Sequence, residues 1–178
     1  EGLPFYAAIP LFTKGLILIM TPPLVFVIDT REARPYRLAN AVYKKLTAGD
    51  YSVEGWESKI AVERKSLDDL INTVLHSRNR FTRELAILNT YQFSAVLVEA
   101  SIHEIEQGEY TSTIKPHNLF GIIRRLKEEY PKVQWVFARN RPIAVSFVCG
   151  TLTAWVLRHK EEERIGINDG SGDSIEAA

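Results

Sequence analysis

A glycine–aspartate pair, Gly49 and Asp50, is followed thirteen positions after the aspartate by Glu63, then by Arg64 and Lys65 and, after three intervening residues, by Asp69. Ile60 and Val62 with polar flanks predict a strand over 59–65, on which Glu63 and Lys65 share one face and Arg64 takes the other. The Cα atoms of Glu63 and Lys65 are then ~7 Å apart, at ~3.3 Å per residue. Asp50 and Glu63 can supply the hard oxygen ligands that a divalent cation takes, and an ammonium one pleat away can orient a water against a phosphate. These residue types in this order fit metal-assisted phosphodiester hydrolysis. Ser66, three residues ahead of Asp69, is also a helix-start pattern, so Asp69 has a capping role open to it as well as an acidic one.

The elements that must position these residues alternate in type. The apolar run Leu24–Ile28 has the length and β-branched content of a buried strand and ends at Asp29. Leu38, Ala41, Val42 and Leu46 recur at helical spacing, which predicts a helix over 38–46 stopped by Gly49. Strands over 51–53 and 59–64 are expected to form a hairpin through a turn at Gly55. Leu67, Leu70, Ile71, Val74 and Leu75 predict a helix after Ser66. A second helix is expected over 81–91, joined to the first by the polar connection Ser77, Arg78, Asn79 and Arg80. Phe93–Glu99 reads as a buried strand, 101–106 as a short capped helix, 119–130 as a helix ended by Pro131, and 133–137 as a last strand. A final helix is expected over 142–159, with more apolar residues than one face needs. The fold class that follows is α/β, a central mixed sheet flanked by helices.

Composition sets bounds. With 46% hydrophobic and 25% charged residues in 178, the chain has the make-up of one globular domain with a substantial core. The zero formal charge hides an asymmetry: residues 161–178 hold Glu161, Glu162, Glu163, Asp169, Asp173 and Glu176 against Arg164, a net of −5, leaving +5 on residues 1–160. A modestly basic body suits a polyanionic partner. A single cysteine, Cys149, allows no internal disulfide and fits a reducing, cytoplasmic setting. His76, His103, His117 and His159 show no zinc-ligand spacing among themselves or with Cys149. No glycine-rich phosphate loop follows the first strand, which argues against a nucleotide-binding domain. Pro22 and Pro23 break the apolar run before them, so no membrane segment is expected. Natural translation is expected to start at Met20, with 1–22 a non-native or disordered leader, 23–160 the functional domain and 161–178 an acidic disordered tail.

The pattern Gly49-Asp50, Glu63-Arg64-Lys65 and Asp69, preceded by Asp29-Thr30-Arg31-Glu32 at the end of the first strand, resembles the XPF-type nuclease domains, the branch of restriction-like nucleases with a GD…ERKxxxD signature. The resemblance runs from about residue 25 to 157. It implies the restriction-endonuclease-like fold and a metal-dependent DNA endonuclease acting on branched or otherwise structured DNA. Asp50 and Glu63 would be metal ligands, Lys65 would position or activate the water, and Asp29 and Asp69 would complete the acidic cluster around Mg2+ or Mn2+. Arg31, Glu32 and Arg64 carry over as motif residues without assigned roles. Arg80 with Phe81 matches an Arg-Leu or Arg-Phe pair that family members carry at this point, and Arg78 and Arg80 are the expected DNA-binding residues. The resemblance further implies a stand-alone form of the kind found in phages and prokaryotes, and homodimerisation, for which the surplus apolar residues Phe147, Leu152, Trp155 and Val156 of the last helix are the expected surface. The competing expectation is a non-catalytic DNA-binding subunit, which loses acidic or lysine positions first; all of them are present here.

Overall fold

The computed structural model describes residues 24–169, with side chains through Ile165. The expected start at Met20 and the leader, 1–22, lie outside the described residues, as do 170–178.

Six strands form one mixed sheet in the order β2-β1-β3-β4-β5-β6. They are β1 (Phe26–Ile28), β2 (Ala41–Tyr43), β3 (Tyr51–Val53), β4 (Ile60–Ser66), β5 (Phe93–Glu99) and β6 (Val133–Phe137). The expected hairpin is there: β3 runs antiparallel to both β1 and β4, and Tyr51 pairs with Val62. On either side the pairings are parallel, β1 with β2, β4 with β5, and β5 with β6. The helices α1 (Leu67–His76), α2 (Arg78–Leu88), α3 (Ile102–Gln107) and α4 (Pro116–Glu129) pack on one face around Leu70, Phe81, Leu85, Leu119 and Leu126. On the other face lies α5 (Arg141–Asp169), whose Ala144, Val148, Leu152 and Val156 meet Ile28, Tyr51, Val62 and Leu97. Burying both faces is why β5 and the first half of β4, Ile60 to Val62, read as apolar runs.

Three expectations are corrected. The segment 38–46 is not a helix. Asn40 takes a left-handed backbone (φ 56°), residues 41–43 pair with the edge of β1, and the Leu46 N–H donates to Asp29 Oδ2 at 2.6 Å rather than to a helical carbonyl. The helical spacing there was incidental, for Val42 and Tyr43 are exposed. Second, Ser77 alone separates α1 from α2, so Arg78 and Arg80 stand in the first turn of α2 rather than in a connection. Third, α5 continues to Asp169, into the segment expected to be a disordered tail, with Arg164 bonded one turn back to Glu161. That i,i+3 pairing gives a charged, apolar-poor stretch local helical support.

Candidate active site

Glu63, Arg64 and Lys65 all lie on β4. Ser66 closes it and caps α1: its Oγ accepts from the Asp69 N–H at 3.2 Å and donates to Asp69 Oδ2 at 2.6 Å. This stops the extended backbone where the apolar periodicity turns helical. Just before β3, Gly49 makes the turn that aims Asp50. Its φ is +79°, and a Cβ there would lie 2.9 Å from Ala61 Cβ, so only glycine fits. Beside it, the Asp50 N–H donates to the Val62 carbonyl at 2.9 Å, and Asp50 Oδ2 accepts the Arg64 N–H at 2.8 Å. The ladder thus brings two carboxylates thirteen residues apart to one spot.

Glu63 is 5% exposed, and its Oε1 accepts from Lys65 Nζ at 2.6 Å. The lysine ammonium also stands 4.9 Å from the centre of the Phe81 ring. Burial pushes the Asp50 carboxyl up to about 7 despite the Arg64 amide, with the Glu32 charge adding to the rise. Burial and the Asp50 charge likewise raise Glu63 well above the usual carboxylate range. For Lys65, burial works against the ammonium, but the Glu63 charge and hydrogen bond override it and hold its pKa above the usual value. These are dehydrated negative charges with too little compensation from the protein alone.

Behind β4 a second polar set forms. Arg64 reaches Glu99 Oε2 at 2.6 Å and Glu32 Oε1 at 3.7 Å. Glu99 Oε1 also takes the Tyr36 hydroxyl at 2.7 Å and Arg141 at 3.3 Å. Arg141 in turn stacks on Tyr36 and bonds the carbonyls of Arg34 and Pro35. Glu99 therefore ties β4, the loop after β1 and the start of α5 to one carboxylate. Although burial raises Glu99, the Arg64 and Tyr36 hydrogen bonds hold its carboxyl below the usual range.

The residues singled out in the sequence fall at different distances from this centre. A polar cleft of about 790 Å³ is lined by Arg31, Glu32, Asp50, Glu63, Arg64, Lys65, Asp69 and Arg80. Arg78 lines only a neighbouring cavity. Asp29 is buried behind the cleft, with its oxygens bonded to Arg31 and to the Leu46 amide; these bonds hold its carboxyl low although burial raises it. The structure thus joins Asp50 to Glu63 but does not assemble the expected four-carboxylate cluster: among the described residues, no three His, Cys, Asp or Glu side chains come together to hold a metal ion.

A model of the ERCC4 domain matches residues 28–151, a span that contains every one of these residues. The chain belongs to the ERCC4 domain family. Over 66 residues it is 35% identical to the 3′-flap repair endonuclease Xpf of Saccharolobus solfataricus, an alignment covering 37% of this chain and 27% of Xpf. It thus matches about a quarter of the length of that relative. Its fold is similar to that of XPF from Aeropyrum pernix, with a TM-score of 0.55 at 18% identity over 86% of this chain and 66% of the other. The α/β nuclease fold expected from the sequence is the one observed.

Within this ERCC4 domain, the residues that motif reading missed are Tyr36, Glu84, Glu99 and Arg141. Glu84 in α2 accepts the Gly49 N–H at 3.3 Å and adds its charge to those around Asp50 and Glu63. Only Glu99 carried a signal: an acid closing a buried strand, as Asp29 closes β1.

Proposed function

We propose that this domain is a metal-dependent endonuclease that hydrolyses phosphodiester bonds in branched or otherwise structured DNA. The observation that carries this is the Asp50–Glu63 pair, a half-buried and a buried carboxylate of raised pKa brought together in a polar cleft with Lys65 on Glu63. An oxygen-only donor set short of positive charge fits a hard divalent cation, Mg2+ or Mn2+. When bound, such a cation supplies Lewis acidity and a water of lowered pKa.

The chain's own residues do the remainder. Asp50 and Glu63 hold the ion in this proposal; Asp29 and Asp69 act in the outer sphere, Asp29 by fixing Arg31 and the Leu46 amide, and Asp69 by facing the cleft. Lys65 orients the attacking water or neutralises charge developing on the scissile phosphate. Arg64 fixes Asp50 through its amide. Arg31 and Glu32 form the cleft wall, and Arg78 and Arg80 contact the DNA backbone. Homodimerisation through α5 is a second proposal: Leu152 and Val156 pack inside the domain, and Ile143, Leu157 and Ile165 are the exposed large apolar residues of the helix among the described residues. A concentration-independent monomer mass in light scattering would count against it. Among the described residues no helix is long and apolar enough to cross a membrane.

The test is cleavage of a labelled panel of flap, fork, nicked and junction DNAs with magnesium and with chelator. Cuts that appear only with the ion support the proposal. Binding to the panel without any cut would indicate a non-catalytic DNA-binding subunit instead.

A further inference from the structure

Two cavities meet at the Asp50–Glu63 pair. Besides the cleft, a smaller one of about 360 Å³ opens toward Thr47, Arg83, Glu84 and Ile87, and Arg31, Lys65 and Arg80 border both. Its far wall is one stripe of α2. Arg80, Arg83, Glu84 and Ile87 follow each other at i, i+3, i+4 and i+7, beside the buried stripe Phe81, Leu85 and Leu88. Glu84 pins that stripe to the Gly49 amide, so the helix face has a fixed position relative to Asp50. Among the described residues Arg80 and Arg83 make no ion pair and no side-chain hydrogen bond, whereas Arg31 is bonded to Asp29 and Lys65 to Glu63. The cavity therefore has two guanidinium groups without protein partners, a partly buried aliphatic residue between turns, and an opening onto the catalytic pair. Its volume falls at the small end of ligand clefts, about 300–1,000 Å³.

We infer that this cavity is the subsite for the nucleotide next to the scissile phosphate, with Arg83 and Arg80 binding the flanking phosphodiester and Ile87 contacting the sugar or base. Arg83 lines this cavity together with the pair, whereas Arg78 lines only the neighbouring one. Guanidinium suits this role because its planar fork matches two phosphate oxygens. The subsite rests on the nuclease reading, and it makes the DNA track bend around α2 rather than run past it.

The test couples a protein change to a DNA change. Oligonucleotides of the panel carry a neutral methylphosphonate at one position at a time across the cut, and wild type, Arg83→Ala and Arg78→Ala are compared in single-turnover cleavage and, in chelator, by fluorescence anisotropy. Arg83 is exposed and unpaired, so its truncation leaves the fold intact. In wild type a methylphosphonate within two nucleotides of the cut is expected to lower affinity or rate about tenfold, the worth of one charge-assisted contact. Arg83→Ala should lose as much on unmodified DNA, show a salt slope smaller by about one, and lose nothing more at that position. Arg78→Ala should remain fully sensitive there. Independent losses for Arg83→Ala at every position would overturn the subsite. If wild type cuts nothing, the nuclease reading fails, and the same coupling in the anisotropy series still decides the subsite.

Discussion

The main-chain N–H of Arg64 donates to Asp50 Oδ2 at 2.8 Å while its guanidinium donates to Glu99 Oε2 at 2.6 Å on the other face of β4. One residue thus links the carboxylate pair to the clamp behind the sheet. In Glu99→Ala the Arg64 side chain, 8% exposed, would be left without its closest counter-charge. Removing one member of a buried pair costs about 3–5 kcal/mol, and the Glu32 carboxylate that Arg64 keeps at 3.7 Å puts the expected loss near the lower end. Urea unfolding reads it as a lower midpoint at unchanged slope; a loss below about 1 kcal/mol would show that the clamp is slack.

Stability in chelator should depend on pH through Asp50. A carboxyl raised to about 7 in the folded state from 3.8 holds more protons folded than unfolded between those values, so stability is greatest at the acid end and falls as pH rises through 7. The change is up to about 4 kcal/mol. Asp50→Asn lessens this dependence, since burial still raises Glu63, and should make the ion-free protein more stable than wild type at pH 8. Thermal unfolding at pH 5.5 and 8 checks the sign, and equal slopes for the two proteins would mean that Asp50 does not titrate as argued.

Most of the site was legible because its signals are local. Alternation over 59–65 put Glu63 and Lys65 on one face and Arg64 on the other, and the structure has Lys65 on Glu63 and Arg64 on Glu99. The Ser66 cap on Asp69 followed from spacing alone. What was not legible depends on long-range pairing. Nothing within 38–46 says that an edge of β1 is open to it, so helical spacing outweighed strand propensity. The partners Tyr36, Glu99 and Arg141 come from segments whose proximity only the parallel β4–β5 pairing and the packing of α5 create. Glu84 carried no local signal because the turn it holds at Gly49 lies 35 residues earlier.

Lys65→Ala should separate chemistry from binding. Its ammonium sits on Glu63 beside the cleft, so its loss removes stabilisation made mainly in the transition state. Single-turnover rates at saturating DNA are expected to fall about 100-fold or more, as when one oxyanion-stabilising donor is lost, with DNA affinity within about twofold. A normal rate, or a loss confined to affinity, would assign Lys65 to binding.

The most direct measurement is the cleavage rate of a labelled branched DNA as a function of Mg2+ concentration for wild type, Asp50→Asn and Glu63→Gln, each confirmed folded by its thermal transition. Both substitutions keep shape and remove a ligand's charge. Wild type is expected to show a saturable Mg2+ requirement, and neither variant any measurable cleavage at any Mg2+ concentration, with DNA binding retained. Wild-type-like cleavage by Asp50→Asn, or cleavage by wild type that persists in chelator, would contradict it.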